Sequence, residues 1–334
     1  MVDPLGLVVL GILVALLFDF GNGFNDAANS VSTVVATKVL TLPQAVVLAA
    51  FANFVAAFVF GVAVANTVGK GILDASAVSP IVVIGALAAS AFWVFLMTHF
   101  GLPISASHSL IGGLIGSGVA AKGLTVLNAS GIINVVGFIL LAPLIGLVTA
   151  VVFSIIVLWI ARKTRPSKAN KYFKKLQLVS VFSYSLSHGT NDAQKTMGVI
   201  SLLLFSAGFL GGEFHVPFWV VIISHLTIAL GTLAGGWKVV KTLGMKLTNL
   251  KPFQGFCAES AGAFTIMTAS VLGIPVSTTH VIAGSIAGVG ITKRTTAVRW
   301  GIARKIMLAW VTTIPFSAGI GAVSYFVFSA VLGA

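Results

Sequence analysis

The chain has 334 residues, of which 57% are hydrophobic and only 8% are charged. A soluble globular domain carries about 25% charged residues, so this chain cannot cover a water-facing surface and is excluded from that class. The long apolar blocks favour membrane-spanning helices of about 20 residues over the alternating strands of a β-barrel. The net charge of +13 does not indicate a nucleic-acid partner, because most basic residues fall in a few short loops, as expected for cytoplasmic loops.

Ten apolar blocks follow one another, and some are long enough to hold a broken helix or two short helices. They lie at residues 5–35, 43–68, 78–100, 103–121, 130–161, 176–209, 217–237, 252–272, 275–291 and 300–333. Only Asp3 among charged residues precedes the first block, which therefore predicts a membrane helix rather than a cleaved signal. We predict an all-α polytopic membrane protein with about 10–12 transmembrane helices.

Two motifs occur once in each half of the chain, in the same order. GFNDAANS at 23–30 matches GTNDAQKT at 189–196, and GLPISASHSLIGG at 101–113 matches GIPVSTTHVIAGS at 273–285. Two matches in register indicate a duplication, with repeats at 1–161 and 176–334 and a basic linker at 162–175. Such repeats are typical of secondary transporters, whose binding sites lie near the bilayer midplane where the repeats meet.

Loop charges predict the orientation of the two repeats. The basic linker is expected in the cytoplasm, because cytoplasmic loops carry an excess of lysine and arginine. Loops at 238–251 and 293–305 are also basic, whereas their first-half counterparts hold little more than Lys70 and Lys122. We therefore predict inverted repeats with broken helices, re-entrant hairpins at the second motif pair, and both termini extracellular or periplasmic in a plasma or inner membrane.

The Asn-Asp pairs of the first motif lie inside apolar blocks. A carboxylate at the bilayer centre costs about 2.5–3.5 kcal/mol on insertion scales, so it persists where it faces a cavity, a cation or a partner. Glycines around both pairs predict helix breaks that expose carbonyl groups. We predict cation binding by Asn25, Asp26, Asn191 and Asp192, with sodium at Asp26 and Asp192. The alternative is a pair of buried aspartates satisfied by interhelical hydrogen bonds.

The second motif pair predicts two short helices that begin near each other. Proline is tolerated in the first turn of a helix, and serine and threonine are preferred N-caps. Helix N-termini carry about half a positive charge and unpaired N–H groups, so two convergent ends predict a site for a tetrahedral oxyanion. The candidate oxyanion-binding residues are Ser105, Ser107, Ser277, Thr278, Thr279, Gln194 and Lys195. The alternative is that the serines only cap their helices.

Three further residues are possible accessory groups. Glu259 has no counterpart in the first half and is predicted to bind an extra ion or to form a structural pair. His108 and His280 occupy equivalent positions, and we expect them to hydrogen-bond within their hairpins rather than to titrate. His188 precedes the second Asn-Asp pair, where Asn22 stands in the first half, and no role is assigned to it. Lys195 is expected to contact the anion or to neutralise a carboxylate.

Enzyme and ATPase classes find no support. The sequence has no G-x-x-x-x-G-K-[ST] loop, and its 7 acidic residues are too few for a metal-assisted phosphatase. A single cysteine, Cys257, excludes an intrachain disulfide or a cysteine zinc cluster. We therefore predict no enzyme activity and no cofactor. Sodium ions are the expected coupling ions, and an ion gradient is expected to drive transport.

Four segments resemble the motifs of the inorganic phosphate transporter (PiT) family, and the resemblance covers nearly the whole chain. The segments are GFNDAANS, GTNDAQKTMG, LPISASH and IPVSTTH. The resemblance implies import of inorganic phosphate by cation symport with alternating access, driven by sodium in some members and by protons in others. The first motif has Phe24 where alanine is usual. The expected partners are phosphate, sodium or protons and the lipid bilayer. Proton coupling, transport of another oxyanion such as sulfate, an anion channel and a homodimer stay open.

Overall fold

The computed structural model describes residues 3–73 and 78–332, which form twelve α-helices. They are α1 (Pro4–Ala36), α2 (Leu42–Val55), α3 (Ala63–Gly71), α4 (Pro80–His99), α5 (Ala106–Lys122), α6 (Ala129–Ala161), α7 (Pro166–Ser206), α8 (Phe218–Ala234), α9 (Trp237–Lys241), α10 (Pro252–Val271), α11 (Thr278–Ile291) and α12 (Trp300–Leu332). Each half has the same order: one long helix, a bent pair, a 20-residue helix, a short helix and a 33-residue helix.

Four helices among the described residues, α1, α4, α6 and α12, are long and apolar enough to cross a membrane. The number rises to six if each bent pair forms one span, with bends of 84° between α2 and α3 and 68° between α8 and α9. The short helices α5 and α11 have 17 and 14 residues. At about 1.5 Å per residue they are shorter than the ~30 Å hydrocarbon core, as a re-entrant hairpin requires. The predicted all-α polytopic fold with broken helices is confirmed.

The helix breaks predicted at the Asn-Asp pairs are wrong. Both α1 and α7 run through their motif as continuous helices. The glycines serve close packing instead, since a Cβ at Gly23 would lie 2.2 Å from the Ile228 carbonyl oxygen, and one at Gly189 would lie 2.8 Å from the Asn53 Cα. Small residues let the backbones of neighbouring membrane helices approach. Continuous helices keep their carbonyls bonded, so side chains must supply the oxygen atoms of the site.

The contact between α1 and α8 depends on glycine from both sides. A Cβ at Gly231 would lie 2.2 Å from the carbonyl oxygen of Phe20. We expect Gly231→Ala to destabilise the protein by about 1–3 kcal/mol, because backbone atoms must move to admit the methyl group. The matched control is Gly319→Ala, since nothing lies within 4 Å of a Cβ at that position. Thermal unfolding in detergent would measure both, and equal midpoints would contradict the prediction.

The last helix of each half packs against the short helix of the other half. Helix α12 covers α5, and α6 covers α11. The contacts are close, because a Cβ at Gly116 would lie 1.9 Å from the Ala318 carbonyl oxygen, and one at Gly284 would lie 2.1 Å from the Pro143 carbonyl oxygen. The predicted repeats 1–161 and 176–334 are therefore interlocked in space. The linker 162–175 consists of a turn and the beginning of α7.

Candidate substrate and cation site

The two motif aspartates face each other where the middle of α1 meets the middle of α7. Asp26 and Asp192 are buried, and one ligand atom of each lies within 4.8 Å of the other and of a nitrogen of His188. His188 Nε2 is 3.2 Å from Asp192 Oδ2 and 3.7 Å from Asp26 Oδ2. Two carboxylates this close repel each other unless positive charge lies between or beside them. The arrangement suits a bound cation.

Lys195 already compensates one of the two carboxylates. Its ammonium group donates a hydrogen bond to Asp192 Oδ1 and another to the carbonyl oxygen of Val276 at 2.7 Å. Asp192 and Lys195 lie three residues apart, so they are neighbours on one face of α7. Lys195 therefore neutralises a carboxylate in this structure, one of its two predicted roles. Asp26 has no lysine or arginine partner among the described residues and has His188 as its nearest basic group.

Two threonines of the second hairpin connect the aspartates to the start of α11. The Thr278 hydroxyl lies 2.9 Å from Asp192 Oδ2 and 3.2 Å from Asp26 Oδ2. The Thr279 hydroxyl lies 3.2 Å from Asp26 Oδ1 and accepts a hydrogen bond from Asn29 Nδ2 at 2.9 Å. Because a hydroxyl has one proton, Thr278 can donate to only one aspartate at a time. The candidate anion ligands and cation ligands therefore share one position.

The two short helices begin next to each other. Ser105 and Ser277 are their N-caps, and each hydroxyl accepts a hydrogen bond from the amide of the histidine three residues later, at 3.2 and 3.3 Å. The Thr279 hydroxyl also lies 3.0 Å from the carbonyl oxygen of Ile104, to which it can donate in place of Asp26, and this contact joins the two hairpins. Four N–H groups at a helix start lack intrahelical partners, and the cap occupies only part of them. The remaining amides, including those of Thr278 and Thr279, are available to an anion.

The two histidines of the hairpins pack against each other. The rings of His108 and His280 meet edge to face, with centroids 4.5 Å apart, and both are buried. This contact lies where the two short helices converge. Each ring fills the space beside the other, while the predicted hydrogen bonds within each hairpin stay a prediction.

The motif asparagines have the same environment in both halves. Asn25 Nδ2 donates to the Thr98 hydroxyl at 2.7 Å, and Asn191 Nδ2 donates to the Ser270 hydroxyl at 2.8 Å. Thr98 and Ser270 lie in the last turns of α4 and α10. The amide oxygens of both asparagines are buried without a hydrogen-bond partner. Each half thus offers one neutral oxygen beside its aspartate, as a cation site requires.

Gln194 holds another element in place. Its side-chain oxygen accepts hydrogen bonds from the amides of Val64 and Ala65 at 2.8 and 3.2 Å, at the start of α3. This contact caps α3 and fixes its end against α7. Because its oxygen is occupied, Gln194 can offer an anion only its amide NH₂ group.

A cavity of about 410 Å³ leads to Lys195 and Ser107 from one face of the protein. Its wall includes Gly71 at the end of α3, Asn128 just before α6, and Phe138 within α6. The cavity therefore extends from the end of α3 and the start of α6 to the candidate phosphate ligands. A polar ligand entering from this face would meet the Lys195 ammonium at the bottom.

The second half has an aromatic residue at the position equivalent to Phe138. Trp310 lies five residues before the proline inside α12, as Phe138 lies five residues before the proline inside α6. Trp310 Nε1 donates to the carbonyl oxygen of Pro103 at 3.0 Å, and its ring stacks on His280 with centroids 3.7 Å apart. Phe138, in contrast, borders the open cavity. Two equivalent aromatic residues thus have different surroundings on the two faces.

Glu259 lies apart from the aspartates, in a cluster of neutral hydrogen-bond donors. Its carboxylate accepts from the Thr33 hydroxyl, the Ser180 hydroxyl and Gln177 Nε2, the last at 2.9 Å. It forms no ion pair within the described ranges. Thr33 is two helical turns from Asp26, about 10 Å along α1. Glu259 therefore belongs to a separate polar cluster.

Sequence reasoning missed several residues of this region. His188 contacts both aspartates, and its position four residues before Asp192, on the same face of α7, was the available signal. Asn29 was passed over although it lies three residues after Asp26. Asp19 is a fully buried carboxylate on α1 that the motif comparison did not include, because it precedes the matched segment.

The chain resembles known phosphate transporters over nearly its whole length. A model of the phosphate transporter family matches residues 22–321. A probable low-affinity inorganic phosphate transporter of Rhizobium meliloti (strain 1021) is 52% identical, over 94% of this chain and 94% of its own length. A protein of the same name from Bacillus subtilis (strain 168) is 40% identical, over 96% of this chain and 97% of its own length.

A solved structure agrees with these matches. A protein described as the sodium-dependent phosphate transporter has a TM-score of 0.86 and 26% sequence identity to this chain, and the match covers 97% of this chain and 99% of the other. The relatives are named as transporters and not as enzymes, which confirms the prediction that this is not an enzyme. Several apolar helices and these relatives identify a multi-pass membrane protein. The chain belongs to the phosphate transporter family.

Proposed function

We propose that the protein imports inorganic phosphate together with sodium by alternating access. The observation that supports this most directly is the position of Thr278, whose hydroxyl lies within hydrogen-bond distance of both Asp26 and Asp192 at the start of α11. Groups suited to a cation and groups suited to an oxyanion meet at this point. A substrate anion and its coupling cation would therefore bind in contact with each other.

Electrostatics favours this joint binding. Phosphate next to two carboxylates is repelled unless cations neutralise them. Sodium at Asp26 and Asp192, with neutral oxygens from Asn25 and Asn191, would supply that charge. By thermodynamic linkage, sodium must tighten phosphate binding by the same factor as phosphate tightens sodium binding. When sodium is absent, Lys195 balances Asp192, and His188 lies in contact with both aspartates.

The phosphate itself would be held by neutral donors and one ammonium group. Its oxygens would accept from the free amides at the starts of α5 and α11 and from Lys195 as that side chain moves away from Asp192. The hydroxyl and amide donors around this position are those of Ser105, Ser107, Ser277, Thr278, Thr279 and Gln194. Glu259 would act as an accessory polar group, and His108 and His280 would support the hairpins.

The difference between the two faces supports alternating access. The cavity beside Phe138 would admit phosphate, while the contact of Trp310 with Pro103 would close the other face. Exchange of these two arrangements would expose the same site to the other side, as in transporters with inverted repeats. With the orientation predicted from loop charges, the open face of this structure is the outer one.

Uptake by proteoliposomes tests the proposed function. Radiolabelled phosphate should accumulate inside only when a sodium gradient is imposed, and unlabelled sulfate should not compete. Potassium in place of sodium is the matched control. Accumulation driven by a proton gradient in the absence of sodium would show that protons, and not sodium, are the coupling ion. Flux that only equilibrates phosphate under every gradient would identify a channel and refute the proposal.

The predicted orientation has its own test at the two ends of α7. This helix has 41 residues and a length of about 60 Å, about twice the ~30 Å hydrocarbon core, with Ser167 at its start and Glu213 in the loop after its end. In a Cys257→Ala background, a cysteine at exposed Glu213 should react in intact cells with a membrane-impermeant thiol reagent. A cysteine at exposed Ser167 should react only after the cells are opened. The opposite pattern would place the basic linker outside.

A further inference from the structure

Asp19 is a buried carboxylate whose charge is not compensated. It is 0% exposed and lies on α1 two turns before Asp26. Its Oδ1 accepts a hydrogen bond from the Thr196 hydroxyl at 2.8 Å, whereas its Oδ2 has no hydrogen-bond partner. No ion pair of the described residues includes it. In proteins, a buried charge is paired with an opposite charge or binds a metal ion. No described residue supplies the opposite charge for Asp19.

A second unpartnered oxygen lies one turn further along the same face of α1. Asn22 is 1% exposed, and its amide oxygen has no hydrogen-bond partner. Residues three apart on a helix are neighbours, with Cβ atoms about 5–6 Å apart. Asp19 and Asn22 therefore lie on one face of α1, where Asp19 contacts the Thr196 hydroxyl of α7. The two atoms without a partner, Asp19 Oδ2 and Asn22 Oδ1, are both oxygens, and the three side chains carry one formal negative charge.

A proton satisfies this group less well than a metal ion does. A proton on Oδ1 can be donated to the Thr196 hydroxyl oxygen, but Asp19 Oδ2 and the Asn22 amide oxygen then stay without a partner. A cation can use the carboxylate and the amide oxygen together, because both are hard oxygen ligands. One carboxylate balances one positive charge, which favours a monovalent ion.

We propose that Asp19, Asn22 and Thr196 form an additional sodium site on the N-terminal side of the central aspartates. This inference rests on the proposed sodium-coupled function and adds an ion to it. The site occurs once, because the motif alignment places Ser185 and Ser30 at the positions equivalent to Asp19 and Thr196. Thr196, which contacts Asp19, lies one turn after Asp192 on α7, so the two carboxylates lie near adjacent turns and their like charges repel each other. Sodium at the new site therefore favours occupation of the central site by reducing that repulsion.

Sodium binding to the purified full-length protein, without phosphate, tests the site. Asp19→Asn should bind one sodium ion fewer per protein at saturation than the wild type, measured with radioactive sodium. The sodium concentration that gives half-maximal phosphate uptake should be at least about tenfold higher for this variant than for the wild type. Asp3→Asn is the matched control, because Asp3 is exposed just before the same helix, and it should behave as the wild type.

A second variant covers the case in which Asp19→Asn does not fold. Thr196→Val keeps the carboxylate and should weaken sodium binding by about threefold or more, with the number of ions unchanged. Unchanged sodium affinity in Thr196→Val, or an unchanged number of ions in Asp19→Asn, overturns the proposed site. If wild-type uptake depends on sodium in that case, the proposed function still holds. A wild type that binds no sodium overturns both.

Discussion

Asp26→Asn is expected to abolish sodium-coupled phosphate uptake without unfolding the protein. Asparagine keeps the shape of the side chain and can still accept a hydrogen bond from Thr279. It removes the one motif carboxylate that has no lysine partner in this structure. Loss of one partner from a buried charge pair costs about 3–5 kcal/mol, so sodium affinity should fall by more than about 100-fold.

Two measurements separate this result from a folding defect. The unfolding temperature of Asp26→Asn in sodium-free buffer should not fall, because the substitution relieves repulsion between two carboxylates. The unfolding temperature should also depend less on sodium concentration than that of the wild type, because sodium at the central site no longer stabilises the protein. Glu213→Gln serves as the control, since that carboxylate is exposed in a loop. A variant that transports phosphate with the sodium dependence of the wild type would exclude Asp26 as a coupling ligand.

Lys195→Met is expected to have the largest combined effect on stability and phosphate binding. Methionine keeps an apolar stem but removes the ammonium group that binds Asp192 and lies at the bottom of the cavity. Asp192 then loses its lysine while buried, which costs about 3–5 kcal/mol of unfolding free energy. Phosphate affinity should fall as well, by about tenfold or more, because a charge-assisted hydrogen bond is lost. Lys122→Met, at an exposed lysine, is the control.

The double variant Lys195→Met/Asp192→Asn distinguishes the two effects. Removing both partners of a buried ion pair costs less than removing one, so the double variant should recover much of the lost unfolding temperature. It should not recover phosphate uptake, because both the ammonium group and a cation ligand are absent. Recovery of uptake would mean that Lys195 acts only by balancing Asp192. A single variant with wild-type stability and affinity would contradict both roles.

The duplicated motifs predicted which residues meet at the candidate site. A carboxylate and the unpaired amides of a helix start are energetically unfavourable in lipid. Because both occur in each half, the sequence predicted that the two copies meet at one site. Asp26, Asp192 and Thr278 do meet. Residues outside the matched segments were harder to find, since Asp19 becomes informative only when its contact with Thr196 shows an oxygen left without a partner.

The predicted helix breaks at the Asn-Asp pairs were wrong because glycine has two roles in membrane helices. Glycine permits a helix to break, and it also permits two helices to approach closely. The sequence around Gly23 and Gly189 is compatible with both, and only the position of the neighbouring backbone decides between them. The exchange of α6 and α12 between the halves was equally hidden, because hydropathy describes each helix alone and not the neighbour against which it packs.

The covering of α5 by α12 affects how the chain can assemble during synthesis. Helix α5 enters the membrane long before the ribosome has made α12, so the face that includes Gly116 first meets lipid or an insertion factor. Helix α11 has no such delay, because α6 precedes it in the chain. The first hairpin thus reaches its final environment only after the last helix has been inserted, and a chain cut short before α12 would leave that hairpin open.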